Sequence, residues 1–177
     1  MDDTKTFEAV ILEHLDAAHN LARWLTRDPH DAEDVVQQAC LRALKYFKGF
    51  RGGNARAWLL SIVRNTFHTW LNERRRDRSN VEYDDEAVGL EQVDAPGEDL
   101  LHGIDPEQLL QRAGDHQFVE TALQRLPMEF REILVLRELE ELSYKEIADI
   151  VGVPIGPGMS RLSRARARVR AAIAAKK

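Results

Sequence analysis

The segment from Leu142 to Lys177 constrains the fold more than any other part of the chain. Ser143 is followed three residues later by Glu146, which is a capping-box pattern and predicts a helix that begins at Tyr144. Gly152 is suited to ending that helix in the left-handed conformation. A short, capped helix with a glycine stop is typical of the first half of a helix-turn-helix.

A second helix is expected directly after this stop. Pro154 prevents the first helix from continuing, and Pro157 is suited to the first position of a new helix. Such a second helix enters the DNA major groove, where positive side chains neutralise phosphates. The alternative is a solvated basic helix of an ordinary bundle. The basic residues after the turn are Arg161, Arg164, Arg166, Arg168, Arg170, Lys176 and Lys177.

The chain is acidic overall, but its charge is segregated. It has 177 residues, with 30 Asp and Glu against 25 Lys and Arg. Ten of the acids lie between Glu82 and Glu107, where there is no Lys or Arg, so the remainder carries a net charge of +5. Two basic ends separated by an acidic stretch are compatible with nucleic-acid binding.

The sequence argues against metal, cofactor and membrane functions. Cys40 is the single cysteine, which excludes an internal disulfide and a cysteine-based zinc site, and we expect it to be a small core residue. The six histidines lack metal-ligand spacing. Glu33 and Asp34 are adjacent, do not converge on a helix, and have no partner group, so we expect no catalytic residue. With neither a signal peptide nor a bilayer-length apolar run, a cytoplasmic protein is expected.

Strand patterns are rare, and the chain is predicted to be all-α. We expect two small helical domains, residues 1–78 and 106–177, joined by a flexible acidic linker, residues 79–105. Helices are expected over Phe7–Arg27, from Asp28 to about Phe47, from Asn54 with a bend near residues 64–66, and over residues 118–126 and 129–139.

The helix that starts at Asp28 has two distinguishable faces. Its outer face is acidic and amide-rich with one leucine, and includes Asp34, Gln37, Gln38 and Leu41. This face is either a docking site for a basic helical partner or a plain solvated surface. The expected inner stripe is Val35, Val36, Ala39, Cys40, Ala43, Leu44 and Phe47.

Aromatic residues beside arginines mark a second candidate surface. Rings stack on unpaired bases while guanidinium groups hold phosphates, so this composition favours single-stranded DNA. The alternative is that Trp58 and Trp70 belong to the core. The candidate contacts are Asn65, Thr66, His68, Arg74, Arg75 and Arg76.

Motifs in both halves, in this order, resemble the extracytoplasmic-function (ECF) sigma factors of the sigma-70 family. The first half contributes residues 31–37, 57–59, 64–65 and 74–76. The second half contributes Leu126-Pro127, Phe130-Arg131, Leu142-Ser143-Tyr144, Glu146-Ile147-Ala148, Gly152-Val153-Pro154 and residues 160–166. The similarity covers nearly the whole chain apart from the linker.

This resemblance implies a non-enzymatic specificity subunit of bacterial RNA polymerase. The first domain would bind core polymerase through the outer face at Asp34 to Leu41, and would trap a flipped base of the −10 element near Asn65 to His68. The second domain would read the −35 element through Pro157, Ser160, Arg161, Arg164 and Arg166. An anti-sigma factor is an expected partner. No cofactor, metal or membrane insertion is implied.

The chain departs from the family at Pro157-Gly158, where a Thr-Val pair is usual. A glycine in the first turn destabilises a helix by about 1 kcal/mol. We therefore predict that Pro157→Thr with Gly158→Val tightens −35 binding. The rival interpretation is a stand-alone, dimeric helix-turn-helix regulator with a sensory N-terminal domain, which would bind palindromic DNA without polymerase.

Overall fold

The computed structural model describes residues 3–79 and 116–175, with side chains over 6–79 and 119–175. These residues form helices and turns without any strand, which confirms the predicted all-α class with two helical domains. Within the same ranges, no helix is long and apolar enough to cross a bilayer. The predicted linker lies outside the described residues except for Ser79.

The N-terminal bundle is built from four helices. The predicted single helix from Phe7 to Arg27 is divided by a 3₁₀ turn, and Arg27 ends it in the left-handed conformation with φ of 62°. A second 3₁₀ turn follows the third helix. The elements are α1 (Asp3–Ile11), a 3₁₀ turn (Leu12–His14), α2 (Leu15–Thr26), α3 (Pro29–Tyr46), a 3₁₀ turn (Phe47–Gly49) and α4 (Ala55–Ser79).

Side-chain caps fix the starts of α3 and α4. The carboxylate of Asp28 accepts hydrogen bonds from two backbone N–H groups of the first turn, both at 2.9 Å, and Pro29 follows as the first helical residue. Asn54 Oδ1 accepts a hydrogen bond from the Ala57 N–H at 3.1 Å. Each cap satisfies backbone donors that have no partner inside the helix. Both predicted helix starts are confirmed.

The predicted bend near residues 64–66 is wrong, because α4 is continuous from Ala55 to Ser79. This stretch contains neither glycine nor proline, so no residue breaks the hydrogen-bond ladder. The Thr66 hydroxyl donates to the Ile62 carbonyl at 2.7 Å and remains within the helix. Buried positions continue through the region: Leu59, Leu60, Val63, Thr66 and Phe67.

The C-terminal bundle packs its shorter helices against a long last helix. A π-helical turn follows the second helix of this bundle, and its Glu140 N–H donates to the Val135 carbonyl at 3.1 Å. The wider turn shifts the register and leaves Leu139 40% exposed. The elements are α5 (His116–Gln124), α6 (Met128–Leu134), the π-helical turn (Val135–Leu139), α7 (Tyr144–Val151) and α8 (Ile155–Ala175).

The two bundles touch each other. Helix α2 contacts α6, and α4 contacts α7. Asn20 of α2 donates to Glu140 at 2.9 Å, and Asn54 at the start of α4 donates to Glu146 of α7 at 2.6 Å. The sequence did not indicate whether the domains pack together; in this structure they do.

Candidate protein-docking and nucleic-acid surfaces

One face of α3 is uncovered along two helical turns. Asp34, Gln37, Gln38 and Leu41 are all exposed, and Leu41 is 68% exposed. Their spacing of three, four and seven residues places them in one stripe, here named the α3 face. A carboxylate, two amides and an uncovered leucine are complementary to a basic helix that offers an apolar position.

Leu44 extends this apolar patch and was missed in the sequence. It was assigned to the inner stripe, but it is 47% exposed and lies three residues after Leu41. The small residues on the buried side of α3 already form the inner stripe. Leu44 therefore lies at the edge of that stripe and not within it. The spacing of Leu41 and Leu44 was the available signal. Cys40 lies partly buried against the core, and burial raises the pKa of its thiol.

Helix α4 presents a polar surface around Asn65 and His68. Asn65 is exposed and His68 is half-buried, and the imidazole Nε2 has no hydrogen-bond partner among the described residues. Burial lowers the pKa of His68, and the positive charges of Arg64 and Arg75 lower it further. The imidazole is therefore neutral at pH 7, and its buried Nε2 could reach a base edge only after the side chain turns outward.

Thr66 faces the interior of the bundle. Its side chain has no exposed surface, and its hydroxyl donates to the Ile62 carbonyl while accepting from Arg42 at 3.4 Å. A direct base contact by Thr66 is incompatible with this placement, because the residue faces α3 and not solvent. The polar side chain alone could not reveal this orientation in the sequence.

The predicted pairing of aromatic and arginine side chains is present beyond His68, but the arginine in this pair also contacts another side chain of the same protein. The Arg74 guanidinium lies 4.7 Å from the centre of the Trp70 ring and 2.8 Å from Asp31 Oδ2. Trp70 also stacks on Phe67 at 5.9 Å. Arg75 and Arg76 are exposed on the last turns of α4. The exposed positive charge that is not already paired within the protein therefore lies at Arg75 and Arg76.

The helix-turn-helix has the predicted local chemistry. The Ser143 hydroxyl accepts from the Glu146 N–H at 3.1 Å, and the Glu146 carboxylate accepts from the Ser143 N–H at 2.9 Å. These contacts form the capping box at Tyr144. Gly152 ends α7 with φ of 74°, and its N–H donates to the Ala148 carbonyl at 2.9 Å. The capping box, helix start and glycine stop are confirmed.

Several basic residues of α8 already contact other side chains of the protein, whereas others remain available for a binding partner. Arg161 lies 3.9 Å from a Glu129 oxygen, and Arg166 Nε donates to Glu138 at 2.6 Å. Arg168 lies over the Phe130 ring at 4.7 Å. By contrast, Ser160 and Arg164 are exposed, and the described residues give Arg164 no partner. The outermost surface of α8 is centred on these two side chains.

Helix α8 begins at Ile155, two residues before the predicted start at Pro157. Pro157 is therefore the third helical residue, where its missing N–H still breaks no intrahelical bond. Gly158 is buried and donates its N–H to the Pro154 carbonyl at 3.0 Å. An added Cβ would meet Val153 Cγ2 at 3.8 Å, an ordinary contact, so the glycine is not required by space.

Metal-binding geometry was searched over the described residues. No group of three or more His, Cys, Asp or Glu side chains converges there in a way that could hold an ion.

Comparisons with known protein families agree with the division of the chain into an N-terminal and a C-terminal helical bundle. The family model for sigma-70 region 2 matches residues 10–77, and the model for sigma-70 region 4 matches residues 117–169. These ranges hold the α3 face and the helix-turn-helix respectively.

Several named proteins are similar in sequence over 93% of the chain. "RNA polymerase sigma-H factor" of Pseudomonas aeruginosa is 33% identical over 168 residues, and "ECF RNA polymerase sigma-E factor" of Escherichia coli K12 is 33% identical over 167; the matches cover 84% of each relative. "ECF RNA polymerase sigma factor SigE" of Mycolicibacterium smegmatis is 32% identical over 165 residues, and the chain spans 60% of its length.

Solved structures are similar along almost the whole chain. The sigma factor RpoE, in complex with the anti-sigma factor NepR from Bartonella quintana, matches with a TM-score of 0.72 and 29% identity, covering 98% of this chain and 99% of that one. CnrH, solved with the cytosolic domain of CnrY, matches with a TM-score of 0.65 and 23% identity, covering 98% and 91%. The latter likeness concerns the fold alone.

Proposed function

This chain belongs to the extracytoplasmic-function sigma factors of the sigma-70 family, and from that premise we propose how its surfaces divide the work of transcription initiation. The N-terminal bundle docks on core RNA polymerase and binds the −10 element. The C-terminal bundle binds the −35 element. The protein itself performs no chemistry, and it acts in the cytoplasm, where polymerase and promoter DNA are found.

The exposed α3 face is the observation that carries this proposal. Leu41 and Leu44 together form a contiguous exposed apolar patch beside Asp34 and two glutamines, and such a patch rimmed by polar residues is typical of a protein-binding site. In this family the partner is the coiled coil of the largest polymerase subunit. The carboxylate gives charge complementarity to a basic helix, and Leu41 with Leu44 gives the apolar contact.

The −35 element is bound by the outer surface of α8. Ser160 and Arg164 are the exposed polar residues at the start of this helix, so they are placed to reach base edges and phosphates first. Pro157, Arg161 and Arg166 flank them. A phosphate contact by Arg166 requires exchange of its partner Glu138, because that pair is formed within the bundle.

The −10 element is bound in single-stranded form by α4. Asn65 offers a donor and an acceptor to an unpaired base, and the neutral His68 adds a contact once its side chain turns outward. Arg75 and Arg76 hold the phosphates. Base capture here stabilises the open strand after the duplex separates.

An anti-sigma factor controls access to these surfaces. This part of the proposal is supported by the similarity to RpoE, which was solved in complex with the anti-sigma factor NepR. A protein that covers the α3 face would exclude core polymerase by direct competition.

In vitro transcription with purified core polymerase tests the proposal. Initiation from a template with both promoter elements is expected only when core and this protein are combined. Arg164→Ala should reduce initiation without weakening core binding. Arg125→Ala removes the same charge from another exposed position of the C-terminal bundle and serves as the control. Sequence-specific DNA binding by the isolated protein as a dimer would instead support a stand-alone regulator.

A further inference from the structure

The first turn of α8 presents exposed apolar side chains. Ile155 and Met159 are each 45% exposed, and neither belongs to the hydrophobic core of the bundle. Because they are four residues apart, they lie on the same side of the helix, with Cβ atoms about 5–6 Å from each other. These two residues are named the α8 apolar pair.

The same turn has almost no side chain that can form a hydrogen bond. Its residues, in order, are Ile155, Gly156, Pro157, Gly158 and Met159. Among these side chains only the Met159 thioether is an acceptor, and a weak one. The first side-chain hydroxyl of the helix belongs to Ser160. The start of α8 can therefore contact a base edge through apolar surface, but it cannot read a base through side-chain donors.

The buried side of α8 is complete without the α8 apolar pair. It is formed by Gly158, Leu162, Ala165 and Val169. Apolar side chains that are exposed singly are ordinary on protein surfaces. Here two of them adjoin each other and the exposed Ser160, in the turn of a helix-turn-helix that contacts base edges. Their position in the fold, more than their exposure, indicates a role in DNA recognition.

The major groove offers one apolar group for such a surface. Thymine carries a C5-methyl group there, whereas guanine presents acceptors, and adenine and cytosine present amino groups. An apolar side chain placed over an amino group would leave that donor without a partner, which is unfavourable. The chemistry of the α8 apolar pair therefore selects thymine against the other bases.

We propose that the α8 apolar pair reads thymine in the −35 element, through contact of Ile155 and Met159 with thymine C5-methyl groups. Ser160 and Arg164 supply the hydrogen bonds and the charge beside this contact. The proposal rests on the sigma-factor function above and names the base that this surface recognises. The side-chain spacing of about 5–6 Å corresponds to between one and two base-pair steps of about 3.4 Å, so thymines at neighbouring positions are expected.

Selection from a DNA library identifies the sequence to be tested. Duplexes with a randomised −35 segment and a fixed −10 element are bound by core polymerase combined with this protein, and the bound duplexes are sequenced. At least one position of the −35 segment should be enriched in thymine. Selected sequences without an enriched thymine would overturn the proposal.

Replacement of thymine by deoxyuridine then tests the methyl contact. Uracil lacks the C5-methyl group but keeps the O4 acceptor and the same base pairing, so apolar contact is the main interaction removed. At a contacted position the holoenzyme should bind the deoxyuridine duplex about fourfold more weakly, and about 15-fold when two contacted thymines are replaced. Competition is measured at one salt concentration, since phosphate contacts make affinity depend on salt. Equal binding of both duplexes would overturn the proposal.

Alanine variants assign the methyl contact to its side chains, because a methyl group also affects base stacking. Ile155→Ala and Met159→Ala should each reduce the preference for thymine over uracil from about fourfold to about onefold at the contacted position. Leu139→Ala is the matched control and should retain the preference, since Leu139 is 40% exposed but lies in the π-helical turn outside α8. Arg164→Ala should weaken both duplexes equally, as expected for a phosphate contact.

The remaining outcomes separate the proposal from the function on which it rests. Retention of the full thymine preference in both alanine variants would show that other side chains, or the DNA itself, respond to the methyl group. Weaker binding of these variants to core polymerase without DNA would show that the α8 apolar pair docks on protein, and would also overturn the proposal. Failure of the parent holoenzyme to bind any unmodified duplex would instead refute the sigma-factor function, and the thymine contact with it.

Discussion

Leu41→Ala is expected to weaken core-polymerase binding without affecting the fold. The substitution removes three carbon atoms, and each buried carbon contributes about 0.8 kcal/mol. Because 68% of the Leu41 side chain is exposed in the free protein, about two thirds of that energy remains to be gained on docking. The loss is therefore about 1.6 kcal/mol, or a weakening of about 15-fold.

Fluorescence anisotropy of a labelled protein titrated with core polymerase measures this loss. Leu12→Ala is a matched control, because Leu12 is 58% exposed but lies in the 3₁₀ turn before α2 and is not part of the α3 face. The thermal midpoint should be unchanged in both variants, since neither side chain is buried. Equal affinities for the two variants, or an unaffected Leu41→Ala variant, would show that the α3 face does not dock on polymerase.

Three further predictions concern stability and DNA binding. Gly158→Ala should stabilise the protein by about 0.5–1 kcal/mol, because the added Cβ has room in the helix. Gly152→Ala should destabilise the protein, because Gly152 has a positive φ. Thermal melts of the two variants measure both effects. The Ser143 N–H and the Asn54 amide lower the pKa of Glu146 below 4.5, so its stabilising contribution is present above that pH and lost as pH falls through the lower folded value. Glu146→Gln should flatten the acid limb of helicity measured by circular dichroism. With promoter DNA and holoenzyme, Arg164→Ala should reduce the salt dependence of binding by about one phosphate contact.

Local chemistry made most of the helix-turn-helix predictable. A capping box, a left-handed glycine and a following proline each act within a few residues, so their geometry does not depend on distant packing. The same reasoning identified the caps at Asp28 and Asn54. It also found the α3 face, because the spacing of polar residues on a helix can be read from the chain.

Predictions failed where the neighbouring helix decided the outcome. Thr66 looked available for a base, but it faces α3, and Leu44 looked internal, but no helix covers it. The sequence also contained no sign that Arg166, which stays a predicted −35 contact, is paired with Glu138 in the free protein. The predicted bend in α4 was inferred from polar residues, whereas the packed apolar positions keep the helix continuous.

The sequence by itself determined the helices, their caps and the residue types offered to polymerase and DNA, because these depend on spacing along one chain. Only the tertiary structure decided which of those residues are free. Burial and ion pairing depend on residues far apart in sequence, as the hydrogen bond between Arg64 and Glu132 shows. The sequence lists the charged residues, but it does not say which residue of opposite charge each of them will contact.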